Sequence, residues 1–369
     1  MIIFFEGRKN KNQPISNRFL FHMMIMNEKF SDVKQIENLL TPYKYGKPIL
    51  TPSGEKGTFD CYGVDNARIF RHNGKIYMFY IGFDGQGYHT ALATSEDMIN
   101  WKKLGIVFGR DDESTWEKGG KAISCVFEDK DLYGNRELKK INGKYWMMYH
   151  AYPYEGYEQG PAANGLAWST DENLLEWHCL KEPVFTHGEK GQWDQGGLYS
   201  TWVVCEDDGF KMYYNGKSHD GGFPWLEQVG VAYSKDMINW TRYENNPVLS
   251  VSPHDWDCFF SCGQHVLYDS KNKRWVMFYC GYDGKHAMDG VAISDDGILW
   301  KKYSKSIIPV GKQGEIDETH AHKPCVFWHN GVLYHIYCAV RPTKEDEKEK
   351  YGHEFRCLTI AASVPFDKA

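Results

Sequence analysis

The sequence predicts an all-β fold, a five-bladed β-propeller with four-stranded antiparallel blades over residues 46–369. Three repeated features predict it. An aromatic or apolar residue followed by Asp recurs at Phe59-Asp60, Trp193-Asp194, Trp256-Asp257 and Ile316-Asp317. Nine residues after each Asp stands a strand-opening apolar anchor: Ile69, Val203, Val266 and Val326. Each anchor leads through a Gly/Asn/Asp turn into an aromatic strand: Ile76–Tyr80, Phe210–Tyr214, Trp275–Tyr279 and Leu333–Tyr337. A third strand then closes on a Ser, at Ser95, Ser169, Ser234, Ser294 and Ser363, and a Trp (Trp101, Trp177, Trp240, Trp300) opens a fourth strand in all but the last unit. Runs of β-branched and aromatic residues punctuated by turn residues, repeated at a fixed cadence, are the signature of a propeller.

Residues 1–45 carry no repeat and are expected to form an arm or short helix. Asn27 to Leu40 has near-helical apolar spacing, stopped by Thr41-Pro42. Lys47-Pro48-Ile49-Leu50 matches Glu182-Pro183-Val184-Phe185 and Asn246-Pro247-Val248-Leu249, so Ile49-Leu50 is expected to close the ring where blade five lacks its Trp-led strand. The second blade is the irregular one. Asp129 lies nine residues before Leu138, which places its inner strand at Arg136–Ile141, although Trp116-Glu117 is the better aromatic–acidic pair.

Composition narrows the function. A net charge of −6 with interspersed signs leaves no basic stripe for nucleic acid. The short apolar start Met1–Phe5 does not read as a signal peptide, Met23, Met24 and Met26 offer later starts, and no run reaches membrane-spanning length, so a cytoplasmic protein is expected. Ten cysteines without a C-x-x-C pair read as small hydrophobes, with neither disulfides nor zinc expected. Aromatics at 15% suit sheets that line a sugar-sized cleft.

Residues common to every unit maintain the blade, whereas those that differ at equivalent positions are free for chemistry. By that filter Asp60, Asp194, Asp257 and Asp317 are structural, bonding at each blade entrance. The varied residues one to four places before each anchor are the candidate site. They include Asp65, Asn66 and Arg68 in blade one; Asn135, Arg136 and Glu137 in blade two; Tyr199 and Trp202 in blade three; Gln264 in blade four; and His322 and Lys323 in blade five. His320 precedes the last pair. Carboxylates, cations, amides and aromatic rings converging on one axis suit a sugar ring. A His-x-His pair shares a strand face but lacks a third ligand, so no metal is expected.

Strand order, the Ala-x-Ser-x-Asp…Trp cadence, Lys323-Pro324 and the Lys144-Tyr145-Trp146-Met147-Met148-Tyr149 strand resemble the five-bladed glycoside hydrolases of families 43 and 32 and the mannoside phosphorylases of family 130, over roughly residues 45 to 369. The resemblance implies a glycosidase of short oligosaccharides, with a glycoside phosphorylase or a non-catalytic carbohydrate-binding propeller as alternatives. It implies Asp65 as base or nucleophile and puts Glu137 at the position that tunes the donor. The family's blade-three donor is replaced by Ser200. The substitutes, in order, are Glu137, then His322 or His320 as in the related family 117, then a loop carboxylate among Glu155, Glu158 and Glu227. Asn66, Arg68, Asn135, Arg136, Tyr199, Trp202, Gln264, His320 and Lys323 are the expected substrate contacts. No cofactor is expected; a calcium ion at the axis is the one metal the resemblance allows. Oligomeric state is left open.

Overall fold

The computed structural model describes residues 28–368. It is a five-bladed propeller. The innermost strands are Gly63–His72, Lys121–Val126, Gly197–Glu206, Phe260–Asp269 and His320–His329. Each lies against the next, and the last against the first, so the five close a ring around one axis. Outward from each follow two antiparallel strands: Lys75–Phe83 and Tyr88–Ser95 in blade one, Lys144–Ala151 and Ala163–Ser169 in blade two, Gly209–Lys217 and Glu227–Ser234 in blade three, Arg274–Tyr282 and Ala287–Ser294 in blade four, and Val332–Pro342 and Glu354–Ala362 in blade five.

Blade five takes its outer strand from the start of the chain. Tyr43 and Lys44 pair with Ala362 and Ala361, and Leu50 bridges Leu358. The second contact repeats in blades two, three and four as Phe185 with Asn164, Leu249 with Val229 and Ile308 with Asp289. The Pro-Ile-Leu segments therefore brace the third strand of the preceding blade, and the ring is closed two ways rather than by Ile49-Leu50 alone.

The repeated aspartates are structural in geometry. Asp257 accepts from Lys302 Nζ at 2.6 Å, from Tyr279 OH at 3.2 Å and from Ser261 Oγ at 3.2 Å. Asp194 likewise accepts from Arg242 and Tyr214, and Asp317 from Lys44 and Tyr337. In these three blades a buried carboxylate ties a Tyr of the second strand to a cation from the outer strand.

Of the two forms expected for the segment before the propeller, arm or short helix, the described residues 28–45 form an arm with no α-helix. Residues Lys29–Phe30 pair in parallel with the outer strand of blade four, and two 3-10 turns follow at Val33–Gln35 and Glu37–Leu39. Ile36 and Leu39 are fully buried and three apart, a spacing that one turn of 3-10 helix satisfies. Asn27 and the three early methionines lie outside the described residues.

Blade two requires the larger correction. Its inner strand is Lys121–Val126, with Val126 nine residues after Glu117; Tyr149 OH donates to Glu117 as Tyr214 does to Asp194. Residues 127–141 are an insertion that passes beneath the axis. Asp131 bridges Tyr268 of blade four, and Glu137 bridges Arg71 of blade one. All ten cysteines are free thiols. Among the described residues no helix is long and apolar enough to cross a membrane.

Candidate functional site

Every inner strand carries a bulge just before its anchor, between Asp65 and Arg68, Ile123 and Cys125, Leu198 and Thr201, Cys262 and His265, and His322 and Cys325. An extra residue there turns side chains toward the axis. Three bulge residues take left-handed backbone, Asn66 at φ 48°, Gly263 at φ 60° and Lys323 at φ 66°. Only the second is glycine, so the other two hold a strained conformation that the surrounding sheet must fix.

The bulges ring a cavity of about 370 Å³. Four places before the five anchors stand Asp65, Ala122, Tyr199, Cys262 and His322, and all five line it. So do Asn66, Ser200, Gly263 and Lys323 from the next position. Tyr88, Tyr152, Tyr157, Phe223, Trp225 and Tyr282 supply aromatic walls. Four buried polar atoms of the lining, Tyr88 Oη, Tyr199 Oη, Asn215 Oδ1 and His322 Nδ1, have no hydrogen-bond partner among the described residues. Buried polar atoms are paired in folded proteins, so this lining is built for a ligand rich in hydroxyl groups.

At one wall Lys323 Nζ lies 2.5 Å from Asp65 Oδ2, and Arg356 Nη1 lies 3.1 Å from the same oxygen. Burial alone would raise the Asp65 carboxyl, but the two cations hold it well below the usual carboxylate range. Burial, aided by Lys323, keeps His322 far below the ordinary imidazole value; burial and Arg356 bring His320 to about 4. Both imidazoles are neutral near pH 7.

Two further carboxylates face the same space. Glu227 opens the third strand of blade three and accepts from Asn215 Nδ2 at 2.8 Å and from Trp225 Nε1 at 2.9 Å. Both of its oxygens are acceptors in fixed positions. Glu158 sits on the loop after the second strand of blade two, at φ 50°, and lines the cavity. Burial raises its carboxyl; Lys323 opposes the rise and the charge of Glu227 adds to it. One carboxyl biased toward its acid form beside another held as an acceptor is the division of labour that acid–base catalysis uses.

The structure brings Asp65, Asn66, Tyr199, His320, His322 and Lys323 together with Glu158 and Glu227, two of the three loop carboxylates named as substitute donors, and leaves the other candidates elsewhere. Glu137 accepts the Asn73 amide at 3.0 Å, at the turn beyond the far end of the blade-one inner strand. Eight residues of strand separate Asn73 from Asp65, about 26 Å at the usual rise, so Glu137 cannot act in this cavity. Asn135 stands beside it on the same insertion, capping the Glu137 amide at 3.1 Å. The cause of both misplacements is the blade-two insertion, whose Asp129…Leu138 spacing mimics the repeat.

Arg68, Trp202, Gln264 and Arg136 are buried below the cavity floor. Arg68 Nη2 donates to Ser200 Oγ at 3.0 Å, Gln264 Nε2 to Tyr213 O at 2.7 Å, and Arg136 Nη1 to Val326 O at 3.0 Å. Trp202 packs tilted against His265 with centroids 4.1 Å apart, and Arg136 also pairs with buried Glu128. They form an axial plug and touch no ligand space. Among the described residues no group of His, Cys, Asp and Glu side chains is arranged for a metal ion. Two guanidiniums on the axis do not fit the oxygen cage of calcium.

Sequence reasoning named Glu227 only as a last-ranked loop carboxylate, although it opens a strand and the repeat carries a stronger signal for it. Seven places before each third-strand Ser stand Tyr88, Ala162, Glu227, Ala287 and Arg356, and four of these five line the cavity. Glu158 lies in a loop without counterpart in the other blades, where comparison between repeats is silent.

Comparison with known proteins agrees with this architecture. The family model described as beta-1,4-mannooligosaccharide phosphorylase (glycoside hydrolase family 130) matches residues 44–195, and that for the glycosyl hydrolases family 32 N-terminal domain matches residues 135–260. The 1,2-beta-oligomannan phosphorylase of Thermoanaerobacter sp. (strain X514) is 29% identical over 260 residues, covering 67% of this chain and 72% of that protein. A solved glycoside hydrolase is 29% identical with a TM-score of 0.74, covering 92% of this chain and 97% of that one. A structure described with the family-130 mannoside phosphorylases and hydrolases that target beta-1,2 mannosidic linkages shares the fold at 16% identity and a TM-score of 0.61, covering 87% of this chain and 94% of that one. The chain is thus similar to the five-bladed propeller glycoside hydrolases and phosphorylases.

Proposed function

We propose that the protein is a glycoside hydrolase that cleaves short oligosaccharides in the central cavity, with Glu158 as proton donor and Glu227 as the carboxylate that accepts the proton of the attacking water. The observation that carries this is the pair itself: two glutamates facing one cavity, one pushed toward its protonated form by burial and one accepting on both oxygens. As the glycosidic bond breaks, Glu158 gives its proton to the leaving oxygen. Glu227 takes a proton from water as that water bonds to the anomeric carbon, so no charge is left over when product departs.

Asp65 takes a different part from the base expected of it. A carboxylate held by two cations is a weak proton acceptor, and its fixed charge suits anchoring sugar hydroxyls beside Lys323. His322, neutral at working pH, serves as a hydrogen-bonding partner and not as the acid.

A second reading, glycoside phosphorolysis, is favoured by the mannooligosaccharide phosphorylase family model and by the Thermoanaerobacter relative. Lys323 and Arg356 would be its phosphate ligands. Both already hold Asp65, and the cavity faces a phosphate with three carboxylates, Asp65, Glu158 and Glu227. A screen of aryl glycosides and of mannosyl and other oligosaccharides, run with and without inorganic phosphate and read by NMR, separates the readings. Free sugar released without phosphate supports hydrolysis. A sugar 1-phosphate formed only when phosphate is present establishes phosphorolysis, and no turnover of any substrate leaves a binding propeller.

A further inference from the structure

Beside the central cavity lies a second one of about 280 Å³, and the two share a wall made by Asp65, Ile81, Tyr88, Tyr157 and Arg356. Its own lining is Tyr62, Phe83, Tyr351 and Glu354, with Gly63 and Gly85. The junction where the two cavities meet is aromatic: Phe83 stands 5.1 Å from Tyr88 and 5.8 Å from Tyr157, centroid to centroid. Arg356 runs through it, donating to Asp65 on the central side and, by Nε at 2.9 Å and Nη2 at 2.8 Å, to Glu354 on the outer side.

The outer wall is pre-set. Tyr351 closes a short helix, Lys348–Tyr351, in the blade-five excursion, and its ring packs against Phe355 at 5.2 Å. Across from it the chain passes at Gly54, where an added Cβ would lie 3.0 Å from Tyr351 Cε1 and where φ is +67°. Glycine is needed there for both reasons, and the close approach fixes the ring. At Gly85, likewise, a Cβ would meet the Tyr62 ring at 2.7 Å.

We propose that this second cavity is a binding subsite for the sugar residue joined to the one held in the central cavity, with Tyr351 and Tyr62 as stacking surfaces and Glu354 as acceptor of its hydroxyls. Aromatic faces meet the apolar face of a sugar ring, and a carboxylate held through its Oε1 by two arginine nitrogens presents its other oxygen as an acceptor. The shared wall puts the two rings in adjacent places, so that the preferred ligand is at least a disaccharide. The inference rests on the reading of the central cavity as a sugar site.

The test is a panel of monosaccharides and their corresponding di- and trisaccharides, including mannose, beta-1,2-mannobiose and beta-1,4-mannotriose, titrated calorimetrically into wild type, Tyr351→Ala and Tyr351→Phe. Wild type should bind the extended member of a series at least about tenfold more tightly than its monosaccharide, the scale of one stacked ring. Tyr351→Ala should remove that gain and Tyr351→Phe should keep it. Wild type that binds a monosaccharide and gains nothing on extension, or a gain that survives in Tyr351→Ala, overturns the subsite while leaving the central site standing. A panel with no ligand at all for wild type overturns both.

Discussion

Lys323 and Asp65, 258 residues apart in sequence, meet across the blade-five to blade-one junction with Nζ 2.5 Å from Oδ2. The contact joins the last inner strand to the first, and it places the one strained lysine of the bulges against the cavity's anchoring carboxylate. Asp65→Asn should therefore cost stability as well as activity, roughly 3 kcal/mol, because Lys323 loses its charged partner and Arg356 keeps only Glu354. The pH dependence has a definite sign. The folded-state pKa of Asp65 is depressed, so its contribution is complete above the unfolded value of about 4 and is lost as pH falls through the folded value. The Tm difference between wild type and Asp65→Asn should be level above about pH 5 and shrink below about pH 4. A difference that instead grows on acidification would refute the pairing.

Glu158 is the acid of the proposed reaction, and an acid matters most where the leaving group is poor. Glu158→Gln should slow natural oligosaccharides by about two to four orders of magnitude and activated aryl glycosides far less. Its deprotonation should set the alkaline limb of kcat/KM in wild type, displaced upward from the ordinary carboxylate value by burial. That limb should vanish in Glu158→Gln measured on the aryl substrate. Equal losses on both substrates with the limb retained would take Glu158 out of the donor role.

The repeated aspartates should separate by the exposure of their cations. Lys302, 2% exposed in its side chain, is stranded in the interior when Asp257 is removed, whereas Arg242, at 31%, can turn to water when Asp194 is removed. Asp257→Ala is expected to cost about 3–5 kcal/mol and Asp194→Ala about 1–2 kcal/mol, by chemical denaturation. Comparable losses would mean that the shared Tyr contact, and not the ion pair, carries the energy.

Most of the fold was legible because blade-making residues repeat. The Asp-to-anchor interval, the second-strand Tyr that bonds the carboxylate and the Pro-Ile-Leu brace each recur, and the contacts they make recur with them. Where the chain inserts, repetition misleads. The segment 127–141 carries an acidic residue and an apolar residue at the right interval, and only Glu117, hydrogen-bonded to Tyr149 and nine before Val126, marks the true strand. The site was legible to the extent that it is made of strand openings, as with Asp65, Tyr199, His322 and Lys323. Arg68 and Arg136 were misplaced because a side chain one position from the anchor points down the axis into the plug, or belongs to the insertion, and not up into the cavity. Glu137→Gln should accordingly leave the kinetics near wild type; a substantial loss in turnover would restore Glu137 to the chemistry.

Glu227 provides the sharpest test of the proposed reaction, since it is held from two sides and its partners are not acids. Asn215 and Trp225 fix both oxygens, and neither would be left charged if the carboxylate were replaced by an amide. Glu227→Gln should thus fold with near-normal stability and lose about two to four orders of magnitude in kcat on aryl glycosides and oligosaccharides alike, because attack at the anomeric carbon is common to both. A small anion that fits the vacated space, such as azide or formate, should recover part of the rate on the aryl substrate, where the leaving group needs no acid. With Glu158→Gln the same anion should give no recovery on the oligosaccharide, whose barrier lies in protonating the leaving oxygen. A wild-type rate in Glu227→Gln, or an anion that rescues neither variant on any substrate, would remove Glu227 from the attacking side and return that role to Asp65.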